Sequence, residues 1–136
     1  MITHDRPVHF EDIDTAGIVF FARFAAYCHG AMERFFDDVE GGYAHLVTER
    51  KIGVPAVRVT TEFKAPLRFG DVARIEGAVV KLGTTSCHFH FDMRRARDGI
   101  LVATGDHVHV CSELVGLTKL AFPPDVRAAL ERHLAR

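Results

Sequence analysis

The chain has no tryptophan, only three cysteines and five prolines, and almost no net charge, formally −1 over 136 residues. Cys28, Cys87 and Cys111 are an odd set with no CxxC spacing. That excludes a disulfide framework, shows no zinc spacing, and points to a reducing compartment in which each thiol serves as a small buried apolar group. The balanced charge provides no global field for nucleic acid or an anionic membrane, so neither is expected as a partner. No segment approaches the ~18 consecutive apolar residues of a membrane helix. Met1–Pro7 is polar and lacks the apolar core of a secretion signal, so a cytoplasmic location is expected. Pro/Gly/Ser-rich linkers, low-complexity tracts and internal repeats are also absent. Residues 1–136 are therefore expected to form a single domain with a real core, and no cofactor or metal is called for.

What the chain has in excess is phenylalanine, 11 of them. Phe24, Tyr27, Cys28, Ala31, Met32, Phe35 and Phe36 recur at i, i+3, i+4, i+7 spacing and predict an amphipathic helix from about Phe21 to Val39, stopped by Gly41-Gly42. Gly30 inside it suggests close packing of the helix on a sheet. A first strand is expected over Pro7–Asp12, with Val8 and Phe10 on one face, and a short helix over Tyr43–Arg50. From Val54 the period becomes two, and Val57, Val59, Thr61 and Phe63 alternate with Arg58, Thr60, Glu62 and Lys64. Further strands are expected over Val72–Leu82, Thr84–Arg95 and Ile100–Ser112, and Pro123-Pro124 opens a C-terminal helix running to Leu134. Strand, long helix, then four strands joined mainly by tight turns is an α+β layout: one long helix against a five-stranded antiparallel sheet. Such a sheet leaves open edges, and pairing through an edge predicts a homodimer or homotetramer.

The segment that carries chemistry is Phe10-Glu11-Asp12-Ile13-Asp14-Thr15-Ala16-Gly17-Ile18-Val19-Phe20-Phe21. Two aspartates at i and i+2 precede a small-residue turn and then a helix start. A carboxylate there can act as nucleophile or general base, and the helix start supplies N–H groups and a positive dipole end for a developing oxyanion. Each half has an ordinary structural explanation, since aspartate favours turns and every helix leaves first-turn N–H groups unpaired. His88-x-His90 and His107-x-His109 raise a further possibility. If Asp98-Gly99 forms a two-residue hairpin loop, His88 opposes His109 and His90 opposes His107, gathering four imidazoles on one face with Cys87, Phe89, Phe91 and Val108 on the other. A solvated or subunit-facing patch is favoured there over a metal site.

Asp12-Ile13-Asp14-Thr15-Ala16-Gly17-Ile18-Val19-Phe20-Phe21-Ala22-Arg23-Phe24 resembles the D-x-D-x-x-G-[IV]-V-[FYW]-[FYH]-x-x-[YF] signature of hotdog-fold acyl-CoA thioesterases of the 4-hydroxybenzoyl-CoA thioesterase-like type. Val57–Asp71 is similar to that family's second-strand block, and Gly83-Thr84-Thr85-Ser86 falls at its next turn. The resemblance implies a hotdog fold, a long central helix wrapped by a five-stranded antiparallel sheet. It implies hydrolysis of an aromatic (benzoyl or hydroxybenzoyl type) or short-to-medium acyl-CoA at a site on a dimer interface. Asp14 is implied as nucleophile or base, the Phe21 backbone N–H as oxyanion donor, and Gly17 as part of the same catalytic turn, with Asp12 structural. His29, Val54, Thr60, Thr61 and Phe24 are the expected substrate contacts, the strand residues coming from the partner. The family's basic run for coenzyme A phosphates falls near Leu82–Thr85, which are not basic, so Arg58, Lys64, Arg68 and Lys81 are the substitutes. Phe21 stands where the branch has a phenol or imidazole, and His29 where it has an acid. The competing functions are a noncatalytic acyl-thioester-binding protein and an enoyl-thioester hydratase or dehydratase. The latter chemistry calls for an Asp–His pair, and no histidine follows Asp14 closely.

Overall fold

A computed structural model describes all 136 residues. In chain order the elements are β1 (Ile2–Pro7), a 3₁₀ turn (Phe10–Asp12), α1 (Phe21–Met32), a 3₁₀ turn (Glu33–Phe36), α2 (Gly42–Thr48), β2 (Ile52–Gly53), β3 (Ala56–Phe63), β4 (Val72–Leu82), β5 (Ser86–Arg95), β6 (Leu101–Val110), β7 (Ser112–Glu113), β8 (Thr118–Lys119) and α3 (Pro124–Glu131). Five strands form one antiparallel sheet in the order β1-β4-β5-β6-β3, and β2-β7-β8 form a small second one. α1 lies across the inner face of the large sheet.

The core follows from alternation. β5 buries Cys87, Phe89, Phe91 and Met93, and these meet the α1 side and its 3₁₀ extension through Met32, Phe35 and Phe36. Phe35 packs on Phe89 with ring centroids 4.8 Å apart. Removing any one of these rings is expected to cost about 3–5 kcal/mol. Burial pushes the Cys28 and Cys87 thiols up to about 12, so both are inert packing groups at neutral pH.

Several expectations are corrected. The first strand is Ile2–Pro7, not Pro7–Asp12, and Phe10 points to solvent at 74% exposure. β1 is an edge strand whose outward residues are polar, so hydropathy does not mark it. The helix tightens to 3₁₀ after Met32, and Gly41 and Gly42, both at positive φ, end the segment. Phe20, at the N-cap of α1, is 43% exposed. Gly30 is not a close-packing device, because a Cβ there meets only His4 Nε2 at 3.6 Å. The close approach is at Gly105, where a Cβ would stand 3.3 Å from Cys28 Sγ, so it is Gly105 that lets α1 lie against β6.

The four-histidine face does not form. Arg95 N–H bonds to Ile100 O and Gly99 N–H to Arg95 O, so the hairpin loop spans four residues. A register irregularity between Met93 and Arg94 then sets His88 opposite Val108 and Phe89 opposite His107. The one-residue change splits the set. His107 and His109 turn into the core, while His88 and His90 stand on the outer face with Asp106 and the half-buried Val108. Asp106 Oδ1 lies 3.0 Å from His88 Nε2 and 3.0 Å from His90 Nδ1, and Asp92 Oδ1 lies 3.1 Å from His90 Nε2. Carboxylates only accept, so the two contacts favour the form of His90 in which both ring nitrogens donate, the imidazolium. Burial alone disfavours that charge, and the two aspartates reverse the effect and raise its pKa.

His107 is 2% exposed, and its Nε2 has no hydrogen-bond partner. Burial first, and then the neighbouring His109 and His29, push its pKa down from 6.5 to about 4. The unfolded chain takes up this proton near pH 6.5 and the native state only near pH 4. Stability carried by neutral His107 is therefore full above pH 6.5 and lost as the pH falls to about 4, by about 3 kcal/mol. Urea midpoints at pH 7 and pH 4.5 are expected to differ less for His107→Leu than for the wild type.

Candidate active site

The Asp12–Phe21 segment is a compact loop. Asp14 N–H donates to Ile18 O at 2.9 Å and Gly17 N–H to Asp14 O at 3.0 Å, with Gly17 at φ +79°, a left-handed conformation that glycine adopts without strain. Val19 N–H donates to Leu67 O at 2.8 Å, and Ile18 forms a bridge with Arg68, so the loop is stitched to the β3–β4 connection. Arg95, nearly buried, donates from Nη1 to Pro66 O at 2.8 Å and fixes that connection from the other side.

Between the two segments lies a cleft of about 550 Å³, lined by Asp14, Ile18, Val19, Phe21, Phe24, Phe63, Lys64, Ala65 and Pro66. Phe24 and Phe63 meet edge to face at 5.1 Å. Asp14 is exposed; its Oδ1 accepts the Ala16 N–H at 2.8 Å, and its second oxygen bonds to nothing in the chain. Phe21 is the first residue of α1, so its N–H has no acceptor one turn back. The N-cap is Phe20, which supplies no side-chain hydrogen bond, and the first turn holds no acid. A 12-residue helix that forgoes both a cap, worth ~1 kcal/mol, and a first-turn acid keeps its positive end open toward the cleft.

Asp12 has a different setting. It is 1% exposed, and its Oδ2 accepts from Tyr27 Oη at 2.7 Å, His9 N–H at 2.9 Å and Arg6 Nη2 at 3.2 Å. Burial works to raise its pKa, but these donors and the nearby Arg23 outweigh it and hold the carboxyl below its usual range. It ties the 3₁₀ turn to β1 and α1.

Of the other expected contacts, Phe24 and Lys64 stand in the cleft with Asp14 and Phe21. Thr61 shares the inner face of β3, opposite Gly105, whereas Thr60 pairs with Asp106 and faces outward. Thr60 and Arg58 line a separate hollow of about 250 Å³ with His88, Asp106 and Val108, and Lys81 lies opposite His88 in the register of β4 and β5. Val54 is 2% exposed; its N–H donates to Tyr43 Oη at 3.1 Å and its carbonyl accepts from His109 Nδ1 at 2.6 Å, so it belongs to the core of its own subunit. His29 is exposed on α1, its ring 6.5 Å from that of His109. Arg68 is exposed just beyond the cleft wall. Ile18 and Val19, both motif positions, line the cleft too, and Phe63, Ala65 and Pro66 supply the wall that lies outside the motif. Of these three wall residues, Phe63 carries a signal of its own in the sequence, through its shared parity with Val59 and Thr61.

Residues 8–130 match the thioesterase-like superfamily. A 1,4-dihydroxy-2-naphthoyl-CoA hydrolase of Nostoc punctiforme is 27% identical over 129 residues, covering 95% of this chain and 86% of the relative. A thioesterase superfamily protein from Jannaschia sp. CCS1 superposes with a TM-score of 0.89 at 25% identity, covering 99% of this chain and 94% of that one. The BH1999 gentisyl-coenzyme A thioesterase superposes at 0.84 and 28% identity, covering 93% of this chain and 99% of that one. No helix of the chain is long and apolar enough to cross a membrane. By fold and by sequence the chain is a hotdog-fold thioesterase and belongs to the thioesterase-like superfamily.

Proposed function

We propose that this protein hydrolyses an aromatic acyl-CoA, of the hydroxylated benzoyl or naphthoyl class, to the free acid and coenzyme A. The observation that carries this reading is that Asp14 and the uncapped start of α1 open on one cleft walled by Phe21, Phe24 and Phe63. A flat ring is met there by aromatic faces and edges, the arrangement such rings prefer. The relatives named for dihydroxynaphthoyl and gentisyl thioesters act on groups of this class.

In the proposed reaction the thioester carbonyl carbon sits beside Asp14, and the carbonyl oxygen, which takes up negative charge as the tetrahedral centre forms, accepts from the Phe21 N–H. The free Asp14 oxygen either adds to the carbon, expelling the coenzyme thiolate and leaving an anhydride for water to open, or takes a proton from the attacking water. Gly17 supports the turn that aims the carboxylate. Arg68, outside the cleft wall, is the cation best placed for the coenzyme phosphates, since Arg58 and Lys81 stand on the outer face.

A second copy of the chain completes this site. β3 is an open sheet edge with Val57, Val59 and Phe63 at 63%, 47% and 52% exposure. Pairing along β3 covers these groups and brings Thr61 and His29 toward a partner's cleft. The test is thiol release from benzoyl, hydroxybenzoyl, phenylacetyl, naphthoyl and aliphatic CoA thioesters by protein whose mass is measured by light scattering. Fastest turnover of the aryl thioesters by a dimer or tetramer is expected. Binding without turnover of any of them refutes the hydrolase reading, and full activity in a monomer refutes the shared site.

A further inference from the structure

We infer that Lys64 recognises an oxygen on the ring of the acyl group, a hydroxyl or phenolate, and so makes the cleft selective for hydroxylated over plain aryl thioesters. This rests on the thioesterase reading above. Among the nine cleft residues only Asp14 and Lys64 carry polar side chains; the others are Ile18, Val19, Phe21, Phe24, Phe63, Ala65 and Pro66. Asp14 is committed to the thioester carbon, which leaves Lys64, its Nζ paired only with the exposed Glu62, as the other polar lining residue that can meet a substituent farther along the ring.

Its placement is built rather than incidental. Lys64 N–H donates to Val102 O at 2.8 Å, pinning the backbone where β3 ends, and Nζ lies 3.2 Å from Glu62 Oε2. Phe63, next in the chain, is held edge to face on Phe24 and sets the ring plane beside it. The side chain is 46% exposed, so the ammonium is largely hydrated while the cleft is open. A ring entering the cleft strips part of that water. Glu62 meets one of the three ammonium protons, and a plain ring meets none of the rest, so its binding carries an uncompensated desolvation cost. A ring oxygen supplies an acceptor and a charge-assisted bond in the place of that water. Selectivity of this kind comes from leaving the site's own polar group unpaired with the wrong substrate. A phosphate of the coenzyme is a poor alternative partner, because the pantetheine arm holds the phosphates away from the thioester and its acyl group.

The experiment is kcat/KM for benzoyl-CoA against 2,5-dihydroxybenzoyl-CoA, and for 2-naphthoyl-CoA against 1,4-dihydroxy-2-naphthoyl-CoA, with wild-type, Lys64→Met and Lys64→Arg proteins of confirmed folding. In Lys64→Met the ratio of hydroxylated to plain substrate is expected to fall about 10-fold, the effect of losing one charged hydrogen bond, and Lys64→Arg retains most of it. An equal loss on all four thioesters assigns Lys64 to the coenzyme and overturns the inference, as does an unchanged ratio. Wild-type protein that hydrolyses none of the four fails at an earlier and distinct step, and brings down the thioesterase reading together with the inference.

Discussion

Asp14→Asn is expected to lower kcat at least ~100-fold on any accepted thioester while leaving the melting temperature close to that of the wild type. Both halves of the result follow from the geometry. Asparagine keeps an oxygen for the Ala16 N–H that fixes the turn, now 2.8 Å from Oδ1, so the loop loses nothing it depends on. What disappears is the anionic oxygen that faces the cleft and bonds to nothing in the chain. A carboxamide neither adds to the thioester carbon nor takes a proton from water, so the nucleophilic and general-base routes both stop. KM is expected to move far less than kcat, because in the proposed complex Phe21, Phe24 and Phe63, which line the cleft, hold the ring rather than the carboxylate. A folded Asp14→Asn protein with near-wild-type thiol release would remove Asp14 from the mechanism. The residual rate is informative too: it measures what the helix start and the cleft contribute without the acid.

The strands that bury one face were legible from the sequence for a simple reason. In β4, β5 and β6 alternate residues meet the core, and period-two hydropathy records it directly. β1 leaves no such mark, because an edge strand can be polar along most of its length. The same alternation marks β3 as a strand, and only the sheet order shows that it is an open edge, with Val57 and Val59 exposed. The histidines show the limit most clearly. Which face His88 and His107 occupy depends on loop length and one register irregularity, neither of which leaves a mark in composition or spacing. At the site, Asp14, Gly17 and Phe21 are neighbours in sequence, so a local motif suffices to bring them together. The opposing wall, Phe63 to Pro66, meets the motif segment and α1 through the Val19–Leu67 hydrogen bond, the Ile18–Arg68 bridge and the Phe24–Phe63 contact, which tertiary structure alone decides. Thr60 and Thr61 likewise separate onto opposite faces once the pairing of β3 with β6 is known.

Asp12, the first aspartate of the motif, is expected to behave in the opposite way to Asp14. Asp12→Ala should cost about 3 kcal/mol of stability, read as a drop of about 10 °C in melting temperature. The carboxylate collects the Tyr27 hydroxyl, the His9 N–H and the Arg6 guanidinium at a position only 1% exposed. Removing it leaves a buried hydroxyl and a backbone N–H without an acceptor and a partly buried cation without its counter-charge, and each of these is more costly unpaired than the original contact was stabilising. Asp12→Asn should lie between alanine and wild type, since its amide oxygen still accepts but carries no charge for Arg6 and Arg23. The pH dependence has a defined sign. Because the native pKa lies below 3.8, the stability that ionised Asp12 contributes is complete above that value and is lost as the pH falls through the native pKa. Activity assayed below the melting transition should fall much less than in Asp14→Asn, because the link from the Asp12 carbonyl to the Phe20 N–H, 2.9 Å long, is made by backbone and survives the substitution. Melting curves and thiol-release rates for the two variants side by side test the division of labour. If Asp12→Ala melts like the wild type, or if it loses turnover at constant stability, the assignment of Asp12 to the scaffold and Asp14 to the chemistry is wrong.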